Sequence, residues 1–228
     1  MDIYGLLKLT LLDFPGKVAC TVFTGGCNFR CPFCHNTPLV EKSDGTIMSE
    51  DEFFDFLIKR QGILDAVCIS GGEPLLQSDI ITFMQKIKEL GFQIKLDTNG
   101  SFPKRLEDVT KSGFCDYIAM DIKNSSGLYP VTAGSNANMS DILESIELIK
   151  SCNIDHEFRT TVVKDFHTED SIRELTSLIK NEKKYFLQAY KDSENVMVQG
   201  LSGFDTDELH NLLAAARENV PDAQLRGI

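Results

Sequence analysis

The chain has 228 residues, 42% hydrophobic and 25% charged, a balance that suits a globular protein with a sizeable core. With 23 Lys and Arg against 34 Asp and Glu the net charge is −11, which argues against non-specific binding to nucleic-acid phosphates, and Lys180 with Lys183-Lys184 reads as a solvated helix end rather than a basic patch. No apolar run is long enough to span a membrane, and the acidic start Met1-Asp2-Ile3 lacks the basic segment of a signal peptide. A cytoplasmic protein with neither membrane nor nucleic acid as partner is expected.

Short apolar runs alternate with helix-period segments along the chain. The first predicted strand, 18–24, leads into Gly25-Gly26-Cys27-Asn28-Phe29-Arg30-Cys31-Pro32-Phe33-Cys34-His35-Asn36. Ser49-Glu50-Asp51-Glu52 then reads as a capping box ahead of Phe53, Phe56 and Leu57. The run 66–70 ends in Ser70-Gly71-Gly72-Glu73-Pro74, and Ile80, Phe83, Met84, Ile87 and Leu90 recur at helical spacing before Gly91. The run 92–97 ends in Asp97-Thr98-Asn99-Gly100, and the run 117–122 leads into Lys123 through Asp121-Ile122. Ile142, Ile146 and Ile149 line a helix, followed by the run 158–163 with Arg159 and, just beyond it, Lys164. Ile172, Leu175 and Ile179 line the next helix, and the run 185–190 brings Gln188 and Tyr190, with Lys191 after them. Asp205 opens the last helix, whose inward face is Leu209, Leu212, Leu213 and Ala216.

Several of these runs are continuously apolar, as in parallel strands covered on both faces. Six strand–helix units in one domain, 1–228, leave two closures open: a doubly wound sheet, or a barrel short of eight strands. In either, reactive groups belong at the C-terminal ends of the strands. Polar and glycine residues gather at that end of every run, which marks a site.

The chemistry of that site turns on the cysteines. Cys20, Cys68, Cys115 and Cys152 are scattered beside apolar runs and read as inert thiols. Cys27, Cys31 and Cys34 cluster. Cys31-Pro-Phe-Cys34-His35 spells the haem-attachment pattern, and Cys31 with Cys34 could form a redox dithiol, but both leave Cys27 surplus. Structural zinc asks for a fourth ligand, which His35 is poorly placed to supply. Three thiolates can also hold three irons of a 4Fe–4S cluster and leave the fourth iron open.

Cys27-x3-Cys31-x2-Cys34, with Phe33 before the last cysteine, resembles the signature of radical S-adenosylmethionine (SAM) enzymes. Gly71-Gly72-Glu73-Pro74 resembles the second motif of that family. Asp13-Phe14-Pro15-Gly16, Cys34-His35-Asn36, Asp97-Thr98-Asn99-Gly100, Asp121-Ile122-Lys123 and Arg159 are similar to features of its glycyl-radical-enzyme activases. The start GLLKLTLLDFPG and the ending VPDAQLRG look most like activating proteins of anaerobic ribonucleoside-triphosphate reductase.

The resemblance implies an α/β partial (βα)6 TIM-like barrel and a 4Fe–4S cluster on Cys27, Cys31 and Cys34, with SAM chelating the open iron. It places Gly71, Gly72 and Glu73 at the methionine amino group and Phe33 by the adenine. Asp97, Asn99 and Asp121 would lie about the rest of SAM, with a monovalent cation near Asp97, Thr98 and Asp121. Lys123 and Arg159 would supply positive charge for the SAM carboxylate. It further implies reductive cleavage of SAM to a 5′-deoxyadenosyl radical, which takes a hydrogen from a glycine Cα of the partner enzyme. Flavodoxin or ferredoxin would be the electron donor. Gln188, Tyr190 and Lys191 match no pattern in the resemblance and read as a site edge. His156, His167 and His210 are isolated and read as surface or core residues. Two other functions compete: a radical SAM enzyme acting on a small molecule such as a deazaguanine precursor, and a non-enzymatic electron-transfer protein, which would want all four irons ligated.

Overall fold

The computed structural model describes residues 1–42, 45–134 and 137–228. Its frame is an eight-stranded sheet in which neighbours follow chain order. The strands are β1 (Ile3–Thr10), β2 (Ala19–Thr24), β3 (Ala66–Gly71), β4 (Gln93–Thr98), β5 (Tyr117–Asp121), β6 (Asp155–Val162), β7 (Tyr185–Ala189) and β8 (Gln224–Arg226). β1 runs antiparallel to β2, and every later pair is parallel. A doubly wound sheet reverses its strand order part-way. This one does not, so its curl is that of a barrel, and among the described residues no ladder joins β1 to β8. The fold is α/β and the barrel is partial.

The six predicted runs are β2 to β7. Two strands were not foreseen. β1 is an edge whose Leu7 and Leu9 stay exposed, so its apolar positions do not mark a buried face. β8 is only three residues long.

Helices α1 (Thr37–Glu41), α2 (Glu50–Ile58), α3 (Ile80–Glu89), α4 (Pro103–Ser112), α5 (Tyr129–Ala133), α6 (Met139–Ser151), α7 (Glu169–Ser177) and α8 (Thr206–Arg217) fill the crossovers. None is long and apolar enough to cross a membrane among the described residues. The main core joins strand residues such as Val67, Ile69, Ile94, Leu96 and Phe158 to the helix stripes of Phe83, Ile87, Leu106, Ile146 and Leu175.

A second, smaller cluster of Phe14, Ala19, Ala66, Cys68 and Tyr117 sits where the strands begin. Phe14 stacks obliquely on Tyr117 with ring centroids 5.6 Å apart, while the Thr21 hydroxyl donates to Asp13 at 2.5 Å. Asp13-Phe14-Pro15-Gly16 is therefore part of the barrel floor, at the opposite end from the polar strand termini.

Candidate active site

A cavity of about 240 Å³ opens at the C-terminal ends of β2 to β7. It gathers all twelve residues singled out above: Cys27, Cys31, Phe33 and Cys34 after β2, Gly71, Gly72 and Glu73 at β3, Asp97 and Asn99 at β4, Asp121 and Lys123 at β5, and Arg159 on β6. Gln188 reaches the same wall from β7. Tyr190 instead packs beside His35, ring centroids 5.5 Å apart, and Lys191 is exposed.

The cysteine loop is tied down from several sides. Gly26 N–H donates to Leu39 at 2.7 Å, Arg30 N–H to Ala133 at 2.8 Å, and Val198 N–H to the Pro32 carbonyl at 2.9 Å. A turn closes it internally, Cys34 N–H donating to the Cys31 carbonyl at 3.0 Å. Cys31 lies buried at the back, while Cys27 and Cys34 are half-buried. Burial pushes the Cys31 thiol up to about 11, against the opposing pull of the Lys123 ammonium. Burial likewise raises Cys27, opposed by the Phe29 N–H and then by Lys123. Phe33 is buried against Phe166 and His167, with centroids 5.9 and 6.3 Å away, so its ring packs under the loop.

The glycine turn after β3 has no room for side chains. Gly71 has φ of +122°, and a Cβ there would strike the Thr24 backbone. A Cβ on Gly72 would strike the Gly26 carbonyl beside Cys27. Two hydrogen bonds clamp the turns together, Gly72 N–H to Thr24 at 3.0 Å and Glu73 N–H to Gly26 at 2.8 Å. The Glu73 side chain is fully buried and turned into the protein. Its carboxylate accepts from Leu75 N–H (3.1 Å), the Thr98 hydroxyl (2.9 Å) and Asn99 N–H (2.7 Å). That explains an acid here structurally: it joins the ends of β3 and β4, leaving only the backbone of the motif for a ligand.

Below the cysteines lies an ion network. Arg159 Nε donates to Asp121 at 2.9 Å, and its Nη2 lies 3.5 Å from Asp97. Lys123 Nζ sits 3.3 Å from Asp121, while Asp97 also takes the Lys95 ammonium and the Ser70 hydroxyl, the latter at 2.9 Å. Burial alone would raise Asp121, but the charges of Arg159 and Lys123 outweigh it and hold the acid at about 2. Asp97 is lowered too, burial being overcome by Arg159 and Lys95. Burial opposes the charge on Lys123, yet the Asp121 carboxylate outweighs that and raises it.

Lys95 was not foreseen as part of the site. It is almost wholly buried, and the signal was available, because two residues before Asp97 on a strand is the same face. Ser70, Thr161 and Asn36 also line the cavity, Asn36 donating to the Gly71 carbonyl at 3.4 Å. Of the scattered cysteines, Cys20, Cys68 and Cys115 are buried and Cys152 is half-buried; none lines the cavity.

The donor set fits an iron–sulfur cluster. Among the described residues no three His, Cys, Asp or Glu side chains converge on one metal-ion point. Three thiols lining one cavity wall suit a cluster, in which each thiolate holds a different iron. Lys123 supplies a nearby positive charge for them, and the side-chain-free Gly71-Gly72 turn leaves the cavity between thiols and ion network clear.

The chain is similar to known proteins in sequence and in fold. The model of the radical SAM superfamily matches residues 21–179. A Methanocaldococcus jannaschii protein named as a glycyl-radical enzyme activating enzyme is 33% identical over 98% of this chain and 95% of its own length. The pyruvate formate-lyase-activating enzyme of Clostridium pasteurianum is 28% identical over 78% of this chain and 76% of its own. In fold, Streptococcus suis SuiB bound to S-adenosylmethionine superposes with a TM-score of 0.69 at 16% identity, over 90% of this chain and 49% of that one. The chain belongs to the radical SAM superfamily, as an enzyme of radical chemistry related to the glycyl-radical enzyme activating enzymes.

Proposed function

We propose that this protein installs a glycyl radical on a partner enzyme, and that the partner is an anaerobic ribonucleoside-triphosphate reductase. The observation that carries the reading is the single cavity uniting the three-thiol loop, the Gly71-Gly72 turn and the Asp97–Arg159–Asp121–Lys123 network. The match to a glycyl-radical enzyme activating enzyme over almost the whole chain supports an activase over an enzyme of small molecules.

Cys27, Cys31 and Cys34 would hold a 4Fe–4S cluster, and SAM would occupy the space between it and the ion network. When bound, these groups supply one-electron cleavage of SAM and the abstraction of a glycine Cα hydrogen. The chain does the positioning. The Gly71-Gly72 backbone would hold the methionine amino end, and Arg159 and Lys123 would offer cationic donors to its carboxylate. A monovalent cation beside Asp97, Thr98 and Asp121 would compete with Lys95, Lys123 and Arg159 for the same carboxylates. The electron donor is a flavodoxin or ferredoxin.

The test is anoxic reconstitution followed by reduction with SAM and each candidate partner. About four irons per chain, SAM-dependent change in the reduced-cluster spectrum, and a glycyl radical signal on the reductase are expected. Tightly bound zinc without iron overturns the cluster. A radical on pyruvate formate-lyase but not on the reductase overturns the choice of partner.

A further inference from the structure

Cys27 differs from its two fellow cysteines in what surrounds its sulfur. The Phe29 backbone N–H donates to Cys27 Sγ at 3.4 Å, and the Asn99 carboxamide Nδ2 donates to the same sulfur at 3.8 Å. The Asn99 amide also donates to Asn28 Oδ1 at 3.0 Å.

The orientation of that amide follows from its neighbours. A backbone N–H can only donate, and Ser101 N–H points at Asn99 Oδ1 from 2.9 Å. The oxygen of Asn99 must therefore face Ser101, and its NH₂ must face Cys27. The Ser101 hydroxyl adds a second donor to the same oxygen at 2.5 Å, and in turn accepts from Asn28 Nδ2 at 2.9 Å. Asn28, Asn99 and Ser101 thus form a closed ring of hydrogen bonds whose direction a single backbone amide sets. The backbone of Asn99 is anchored independently, its N–H donating to Glu73 at 2.7 Å. Asn99 itself is buried.

Resting on the cluster reading above, we propose that Asn99 is a positioning residue for the Cys27 thiolate, and that its N–H sets how readily the cluster accepts an electron. Hydrogen bonds to the ligand sulfurs are a principal control of cluster potential. A donor on a thiolate withdraws charge, which favours the reduced, more negative state. Asn99 therefore raises the potential through Cys27, and the ring with Asn28 and Ser101 keeps its amide from turning an oxygen lone pair towards the sulfur.

The test is a redox titration of the reconstituted, SAM-free protein followed by the spectrum of the reduced cluster, with iron content measured alongside. Asn99→Ala should shift the reduction equilibrium against the reduced form by about tenfold, or about 59 mV for a one-electron couple. Asn99→Asp keeps the acceptor for Ser101, removes the donor and adds charge, so it should shift the potential further in the same direction. Ser101→Ala removes one of two anchors on the amide oxygen and should give a smaller shift of the same sign. A residue that merely braces the loop would lower cluster yield and leave the potential of the assembled fraction in place. Full iron with unmoved potentials overturns the role of Asn99 alone. Should Asn99→Ala assemble no cluster, an unmoved potential in Ser101→Ala overturns it equally. Absence of any iron–sulfur cluster in the unmodified protein overturns the parent reading instead.

Discussion

Arg159 is held between two carboxylates, but a guanidinium has five N–H donors and these two contacts leave some free. The remaining donors are what an anionic ligand in the cavity would meet. Arg159→Ala should keep full iron content yet weaken SAM binding about tenfold or more in an equilibrium binding measurement, the scale of losing a charged hydrogen bond. It should also lower folding stability by about 2 kcal/mol, because Asp97 and Asp121 lose a charged partner while keeping Lys95 and Lys123. Unchanged SAM affinity would remove Arg159 from the ligand shell. His167 supports a different prediction. It is buried, with Nε2 donating to the Lys123 carbonyl at 2.9 Å and Nδ1 accepting from Val163 N–H at 3.1 Å, so the neutral ring is fully satisfied. Burial lowers its pKa below the ordinary 6.5. The unfolded chain then binds a proton that the native state refuses, so this contribution is complete above pH 6.5 and is lost progressively as pH falls below it. The loss approaches about 1.4 kcal/mol per pH unit at its steepest. Urea unfolding of the protein and of His167→Gln at pH 7.5 and about 5.5 should show a smaller pH dependence in the variant; equal dependence would assign the effect to other groups.

At the scale of elements, the local signals were legible and the long-range ones were not. Ser49 with Glu52, and Asp205 with Glu208, form complete capping boxes at α2 and α8, as their spacing implies. Asp205→Ala should destabilise the fold by about 1 kcal/mol in chemical denaturation. Because α8 lies outside the cavity wall, iron content should stay unchanged; loss of iron would mean that the helix braces the site. A third box joins Thr168 to Ser171 at α7, and it escapes sequence reading because its third helical residue is Ser rather than Glu or Gln. α4 escapes too, since only Pro103, Leu106 and Val109 turn inward along ten residues. The strand ends could be read because continuous apolar runs, and the polar and glycine residues that end them, are properties of neighbours in sequence. What could not be read is which polar groups spend themselves on each other. Glu73 turns inward to Thr98 and Asn99, and the segment after β7 crosses the cysteine loop to bond Pro32 through Val198; both depend on contacts far apart along the chain.

At the scale of the whole molecule, the floor of the barrel is packed by Phe14 and Tyr117, and among the described residues no ladder between β1 and β8 closes its side. A substrate reaches the cavity from the rim at the C-terminal strand ends, where β2 to β7 line it, and the unladdered β1–β8 edge leaves that rim incomplete. A small molecule needs no more than that rim. A glycine carried within a large partner needs an extended backbone segment to enter, for which an open edge is suited and a closed barrel is not. A peptide copying the radical loop of the partner should then stimulate formation of 5′-deoxyadenosine by the reduced, SAM-loaded protein. Deuterium placed on the Cα of its glycine should be recovered in that 5′-deoxyadenosine, because the hydrogen is abstracted directly. The same peptide with alanine replacing the glycine should stimulate far less. If glycine peptides and intact partners leave SAM cleavage unchanged, while a pterin-like small molecule drives it, the open side serves some other purpose and the substrate is the small molecule.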